Sequence, residues 1–530
     1  MRPVLLLLLA VLASAEEFSK KPVGPADAPD YWGGVENVPS DAWVYADIDL
    51  LKTAGLIKSM PATSRPWTRE EARRLAAEAG ENMGRDWRSL APAQRAAIER
   101  LDREFELFRT SPGPREPLIR IPVKEAGGEA RADLFSRATL GNKQQSGSIG
   151  AVLNNRPGDN FVFYERAEFT LRRPDWERVT DSAGQHIIGS RVNSWMGMGR
   201  FELEQAYLAF KIPWLRLELG RDEFVWGPGW KSSAMLSDNA PALDHVQLCA
   251  RYENFKFLAF TSALSRWGEK HRFFSAQRLE VSLFHRVTLG GALMAVYAWD
   301  SLQTKNFFGY MNPLTPIYLE LANSGHDDNL LVGFDAVAYL PQTKVYGQLH
   351  IDNYEFVEKE NKPCNALAWQ AGAYWQPNWP VNARFEYARV NPFTYYHRIY
   401  HIMYENYGTP LGHELGPDAD RIDARIGYTP IERLNVGLFG QYTRRGYYNR
   451  GDFERKTWHG GQPIPVKFPA EENGEKVELT SRAGLDLEFW LWRDMRALGS
   501  VSAWQARNRA GVPDATDRGL DFELKLEYRY

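Results

Sequence analysis

The chain has 530 residues, 13% of them aromatic, a formal net charge of −3 and a mean hydropathy of −0.45. That balance gives neither nucleic acid nor an acidic membrane surface an electrostatic hold. Beyond the first residues there is no run of about 18 apolar side chains, which excludes a membrane-spanning helix. Many aromatics in a hydrophilic average suit a large lipid-embedded barrel with a polar lumen, or a carbohydrate-binding protein. Cys249 and Cys364 form no metal or redox spacing; they either pair in an oxidising compartment or stay as buried thiols.

Met1 to Ala15 has a basic Arg2, an apolar core Val4 to Leu12 and the small-residue exit Ala13-Ser14-Ala15. This pattern predicts a secretory signal peptide, cut before Glu16. Residues 16–37, polar and rich in Pro and Gly, read as a flexible lead-in. Residues 38–110 read as a helical module. Trp43 to Ala54 has helical spacing and stops at Gly55, a good C-terminal cap. Thr68-x-x-Glu71 is a capping box at the head of a second helix, expected to end near Gly80. A third helix is expected from Ala93 to Arg109, with Ile98, Leu101, Phe105 and Phe108 on one stripe.

From residue 111 the signal changes to period two, and residues 111–530 read as one barrel. Phe161, Phe163, Ala167, Phe169 and Leu171 share one face of a strand; Tyr164, Arg166, Glu168 and Arg172 share the other. Leu215, Leu217 and Leu219 alternate with Arg216 and Glu218. Ile422, Ala424, Ile426 and Tyr428 alternate with Arg421, Asp423 and Arg425. Similar runs occur at 345–352, 381–387 and 485–491. The clearest is the last. From Leu520 the even positions are Leu, Phe, Leu, Leu, Tyr, Tyr, and the odd positions between them are Asp, Glu, Lys, Glu, Arg. A strand with one wholly apolar and one wholly charged face suits a wall with lipid outside and water inside. About 400 helix-free residues at this spacing hold roughly 16 to 20 strands. The fold class is therefore all-β, a large closed antiparallel transmembrane β-barrel. A barrel of that diameter has a lumen, either open or plugged by loops. The terminal aromatic Tyr530 also resembles the closing signal read by the outer-membrane assembly machinery.

Four stretches break the alternation. They are Gly220 to Lys231 with Leu236 to Pro241; Asn312-Pro313-Leu314-Thr315-Pro316 with Asp327-Asp328-Asn329; Gln348 to Asn353; and Glu386 to His397 with Tyr407 to His413 and Gly416 to Asp420. In this order they resemble the Wzi-type capsule-assembly outer-membrane proteins, from about Val38 to the C-terminus. The blocks Gly-Arg…Trp-Gly-Pro-Gly…Ser-Asp-Asn-Ala and Glu-Tyr-Ala-Arg-Val-Asn-Pro…Leu-Gly-His carry the likeness. It implies a barrel of about 18 strands with a small periplasmic helical bundle. It also implies a non-enzymatic, lectin-like role in holding surface polysaccharide. The chain departs from that family in its loops and near its N-terminus. There Val38 to Ala79 resembles a single S-layer-homology repeat, which implies either a grip on cell-wall polymer or a structural cap on the barrel.

Saccharides offer apolar C–H faces and many hydroxyls, which proteins meet with aromatic faces and planar polar groups. Trp226, Trp230, Tyr395 and Tyr396 are candidate stacking platforms. Arg221, Lys231, Asp238, Asn239, Asp352, His397 and His413 are candidate polar partners. The same residues also admit structural roles: a plug loop shaped by Gly227-Pro228-Gly229, girdle aromatics, and an Arg221–Asp238 ion pair in the lumen. A saccharide or general porin, with or without a tether to the wall through the helical module, is the rival reading. Chemistry is less favoured. There is no Gly-x-Ser-x-Gly elbow, and His397-x-x-x-His401 lacks the Glu of a zinc helix. No cofactor or metal is expected.

Overall fold

A computed structural model describes residues 35–83, 87–105, 107, 118–123, 128–142, 145–158, 160–172, 194–195, 199–299, 307–324, 328–353, 365–397, 399–446, 476–492 and 494–529. The expected signal peptide, most of the lead-in, Phe108, Asp327, Cys364 and Tyr530 lie outside these residues.

Eighteen strands, each antiparallel to its neighbours, close into one barrel. They are β1 (Gly128–Gly141), β2 (Gln145–Arg156), β3 (Phe161–Arg172), β4 (Gly199–Ile212), β5 (Leu215–Asp222), β6 (Leu243–Tyr252), β7 (Phe255–Trp267), β8 (Lys270–Leu283) and β9 (Val287–Trp299). They continue as β10 (Asn329–Leu340), β11 (Thr343–Asn353), β12 (Ala366–Trp375), β13 (Val381–Val390), β14 (Ala419–Ile431), β15 (Leu434–Arg445), β16 (Glu478–Trp492), β17 (Met495–Arg507) and β18 (Thr516–Arg529). The seam is β18 on β1, from Glu523 opposite Gly141 to Arg529 opposite Phe135. Beyond it a short strand, Ile119–Val123, pairs with the free start of β1.

The expected alternation sets the two faces. On β5, Leu217 and Leu219 are exposed while Arg216 and Glu218 are buried. On β18, Leu520, Phe522 and Leu524 face out, and charged residues of the alternate positions pair inside: Asp521 with Arg482 and Glu527 with Arg496. At one end the strands are joined by tight turns, such as Pro213-Trp214 and Glu253-Asn254. Exposed Trp214, Tyr252, Phe255, Phe284, Trp375, Trp379, Tyr428 and Trp492 ring that end, an aromatic girdle at the periplasmic lipid–water boundary. The described parts of the long connections, 223–242, 307–324, 391–397 and 399–418, lie toward the opposite, outer end.

Three helices occupy the short-turn end: α1 (Val44–Thr53), α2 (Arg69–Asn82) and α3 (Pro92–Phe105). They share a core of their own, with Ile48, Leu51, Leu75, Ala97 and Leu101 enclosed. Thr68 caps α2 by accepting the Glu71 N–H at 3.1 Å. The other half of the capping box is missing, because the Glu71 carboxylate accepts from Arg251 on the barrel wall at 2.8 Å instead. Gly80 does not end α2, which continues to Asn82 with Gly80 buried inside it. The region read as helix-free contains one short helix, α4 (Ile317–Ser324), in the connection after β9.

Candidate functional site

After Asp222 the chain turns into the barrel instead of continuing outward. Val225–Trp226 pairs with Ser64–Arg65, a two-residue strand that reaches up from the helical module. The plug and the module thus meet inside the lumen. Gly227 has φ +122°, and a Cβ there would lie 2.1 Å from Gln348 Nε2. Only glycine meets both conditions. A Cβ on Gly229 would lie 2.0 Å from Gln370 Nε2.

Inward-facing polar side chains of three adjacent strands hold the plug. Gln348 on β11 donates to Trp226 O at 2.7 Å and accepts from Ala234 N at 3.0 Å. Gln370 on β12 donates to Ser232 O at 3.1 Å. Glu386 on β13 accepts from Trp230 N at 2.7 Å and Lys231 N at 3.1 Å. Each satisfies backbone groups of an irregular loop that would otherwise be orphaned in a buried place.

Connection 391–418 packs over this loop. Tyr395 O–H donates to Ala234 O and Tyr404 O–H to Met235 O, both at 2.8 Å. Tyr395 N donates to Asp352 at 2.6 Å. Ser237 Oγ donates to Gly412 O at 2.6 Å, and Asn239 Nδ2 to Pro410 O at 2.9 Å. The buried Arg272 guanidinium on β8 donates to His401 O, Met403 O and Glu405 O. Met235, Phe260, Phe274 and Tyr404 form the apolar centre of this assembly.

The module closes the short-turn end through polar joints. Asp49 on α1 meets Lys344 at 3.0 Å and accepts from Tyr339 O–H at 3.0 Å. Burial resists ionisation of Asp49, but Lys344 and Arg384 outweigh it and hold the carboxyl below its ordinary range. Burial acts likewise on Glu71, and Arg251 and Lys256 overcome it. Arg95 on α3 pairs with Glu432 at 2.7 Å. Thr63 reaches Asp335 on β10 at 3.1 Å. Ser40 donates to Glu223 at the root of the plug. Burial pushes the Glu223 carboxyl up to about 7, with Asp41, Asp222 and Asp238 adding to the rise against the Ser40 bond.

Beside the plug the lumen keeps space lined by charged side chains. A cavity of about 620 Å³ lies between the module and the wall, where Asp41, Arg137 and Arg166 form one ionic group. A second, of about 230 Å³, reaches Trp230 and Arg384. Arg100 and Trp490 border both. Among the described residues no cluster of His, Cys, Asp and Glu could hold a metal ion. Cys249 is a buried free thiol.

The sequence-derived candidates divide into four places. Trp226, Tyr395 and His413 are almost fully enclosed in the plug. Burial holds His413 neutral, down to about 3, and its Nδ1 accepts from Leu415 N. Asp352 is the anchor of Tyr395. Trp230 and Lys231 lie on the cavity-side flank of the plug, with the Lys231 ammonium 4.6 Å and the Arg384 guanidinium 5.8 Å from the Trp230 ring centre. Asp238, Asn239, Tyr396 and His397 retain exposure in the outer segments. His397 is also kept neutral by burial, down to about 4. Arg221 faces outward and grips Asp244 at 2.7 Å, so the suggested Arg221–Asp238 pair does not form. Gln348, Gln370, Glu386 and Arg272 were missed as plug anchors. Their signal was a large polar or charged group at a lumen-facing position of a strand.

A closed barrel with a girdle of aromatics, sealed by loops from one side and by helices from the other, defines a plugged outer-membrane barrel. The capsule assembly protein Wzi family model matches residues 141–518, and the chain belongs to that family. Among solved structures, the chain is similar to Wzi of Escherichia coli, described as a carbohydrate-binding β-barrel involved in group 1 capsule assembly. The TM-score is 0.61 at 17% identity, covering 93% of this chain and 99% of that one. OccK5 (OpdH) and OccD3 (OpdP) of Pseudomonas aeruginosa each align with a TM-score of 0.45 at 10% identity, covering 76% and 78% of this chain and 97% and 95% of theirs. No curated protein matches the chain.

Proposed function

We propose that this barrel is a lectin: it holds surface polysaccharide to the cell at its outer, loop-built face and performs no chemistry on it. The observation that carries this reading is the double seal. Gln348, Gln370 and Glu386 fix the plug, and the module closes the other mouth, so the outer loops are the surface that meets the cell exterior. That surface offers Tyr396, His397, Tyr407, Asp238 and Glu414, with Tyr407 47% exposed. These are the ring faces and planar polar groups that sugars need. Family membership and the description of the E. coli relative point the same way. The S-layer-like module spends Asp49, Glu71 and Arg95 on the barrel, which supports a capping role over a grip on the cell wall.

Deleting the gene should release polysaccharide from the cell surface into the medium while total production stays constant. Restoring it with Tyr396→Ala and Tyr407→Ala together should leave the barrel in the membrane and the polysaccharide in the medium. An unchanged coat on the deletion strain would overturn the proposal.

A further inference from the structure

On one flank of the outer wall, across β7, β8 and β9, the outward side is covered by protein instead of being bare to lipid. On β18 the outward side reads, from the girdle upward, Tyr528, Leu526, Leu524, Phe522, Leu520. Counted the same way from Phe255, β7 reads Phe255, Phe257, Ala259, Thr261, Ala263. Its partner β8 reads Val281, Leu279, Gln277, Ser275, Phe273 in register. Gln277, Ser275 and Thr261 therefore stand at depths where β18 shows Leu and Phe to lipid. Yet all three are buried, Ser275 completely and Gln277 with 7% exposure.

Residues 307–324, including α4, cover Gln277 and the outward Tyr297 from outside the barrel, and the Tyr297 hydroxyl in turn meets Ser275, which meets Thr261. Tyr310 and Ile317 pack on Phe273, Ala295 and Tyr297. Tyr297 O–H donates to Phe307 O at 3.1 Å. Gln277 Nε2 donates to Asn312 O at 3.2 Å and Thr315 O at 2.9 Å, and its Oε1 accepts from Ile317 N at 3.2 Å. An irregular backbone at membrane depth is tolerated only when its polar groups are satisfied by protein. Gln277 does that for the segment.

We infer that residues 307–324 form a flap immersed in the outer leaflet, its free side in contact with lipid acyl chains. That side presents Phe308, Leu314, Tyr318 and Leu319, with Leu314 89% exposed. Directly below on the same strands, Leu279, Leu289 and Phe334 are exposed, so the apolar surface of the flap continues the lipid-facing belt. The barrel thus has a lobed outer contour, with one flank widened by chain that belongs to no strand.

The test places a bimane dye on Leu314→Cys in a Cys249→Ala, Cys364→Ala background, reconstituted in phosphatidylcholine vesicles with brominated acyl chains. The flap predicts quenching by bromolipid comparable to that of a dye on Leu520→Cys, and little quenching by aqueous iodide. A dye on Ala510→Cys, in an outer turn, should show the reverse. Adding Gln277→Leu should loosen the flap, lowering bromolipid quenching at position 314 and raising iodide quenching. Strong iodide quenching of Leu314→Cys without the second change would overturn the inference. So would shielding of the dye from both quenchers together with disulfide dimers of the unlabelled Leu314→Cys protein, which would assign the face to another copy of the chain.

Discussion

Gln348 shows how one side chain helps to hold the plug in the lumen. It bridges Trp226 O and Ala234 N across more than a hundred residues of sequence. Gln348→Ala leaves buried backbone groups unpaired and should lower stability by about 1–3 kcal/mol, read as a lower temperature for the heat-dependent mobility shift of the folded barrel on gels. Gln348→Glu keeps the size but replaces the donor with a buried acid, and should not rescue it. Trp226 illustrates the limit of the sequence at this scale. Its surroundings, Trp-Gly-Pro-Gly, suit a sugar platform and a plug turn equally. The choice depends on Gln348 and Ser64, distant residues whose approach no local pattern announces. Arg221 is similar: its partner proved to be Asp244, its neighbour across β5 and β6.

The strands were legible because lipid and water act on every residue in turn, so the two-residue period survives in the sequence wherever the wall is bare. The module was legible through its caps, Thr68 and Gly55, although tertiary contact moved the end of α2 beyond Gly80 and took Glu71 out of the capping box. The inward loop was legible only as one alternative, a plug shaped by Gly227-Pro228-Gly229, and α4 was not legible, since their partners are strand faces instead of their own neighbours. At the joint between module and plug, Glu223 carries a pH dependence. Its folded carboxyl is raised to about 7, so the folded state takes up a proton that the unfolded chain, near 4.3, does not. Its stabilising contribution is present in full below the unfolded value and fades as pH rises through about 7. Glu223→Gln should therefore reduce the loss of thermal stability that the wild type shows between about pH 4.5 and 7, the interval between the unfolded and folded values. Equal pH slopes for both proteins would refute this.

For the whole molecule, two seals make conduction the sharpest readout. The intact protein should be electrically quiet in a planar bilayer. Asp49 and Lys344 are a pair with side chains 18% and 11% exposed. Removing Asp49 leaves the ammonium without its carboxylate, at a cost on the order of 2–4 kcal/mol. Asp49→Ala should loosen the module and give intermittent openings, and Asp49→Ala with Lys344→Ala should be quieter than the single change. A large steady conductance from the unmodified protein would instead identify a porin.

The short sheet of Ser64–Arg65 with Val225–Trp226 has a consequence for signalling across the envelope. One of its strands belongs to the periplasmic module and the other to the plug that enters from the outer end. Were a sugar chain bound outside to favour one posture of the plug, the helices below would feel it through this sheet, and a protein touching those helices would then change the affinity for the sugar by the same factor, because such coupling is reciprocal.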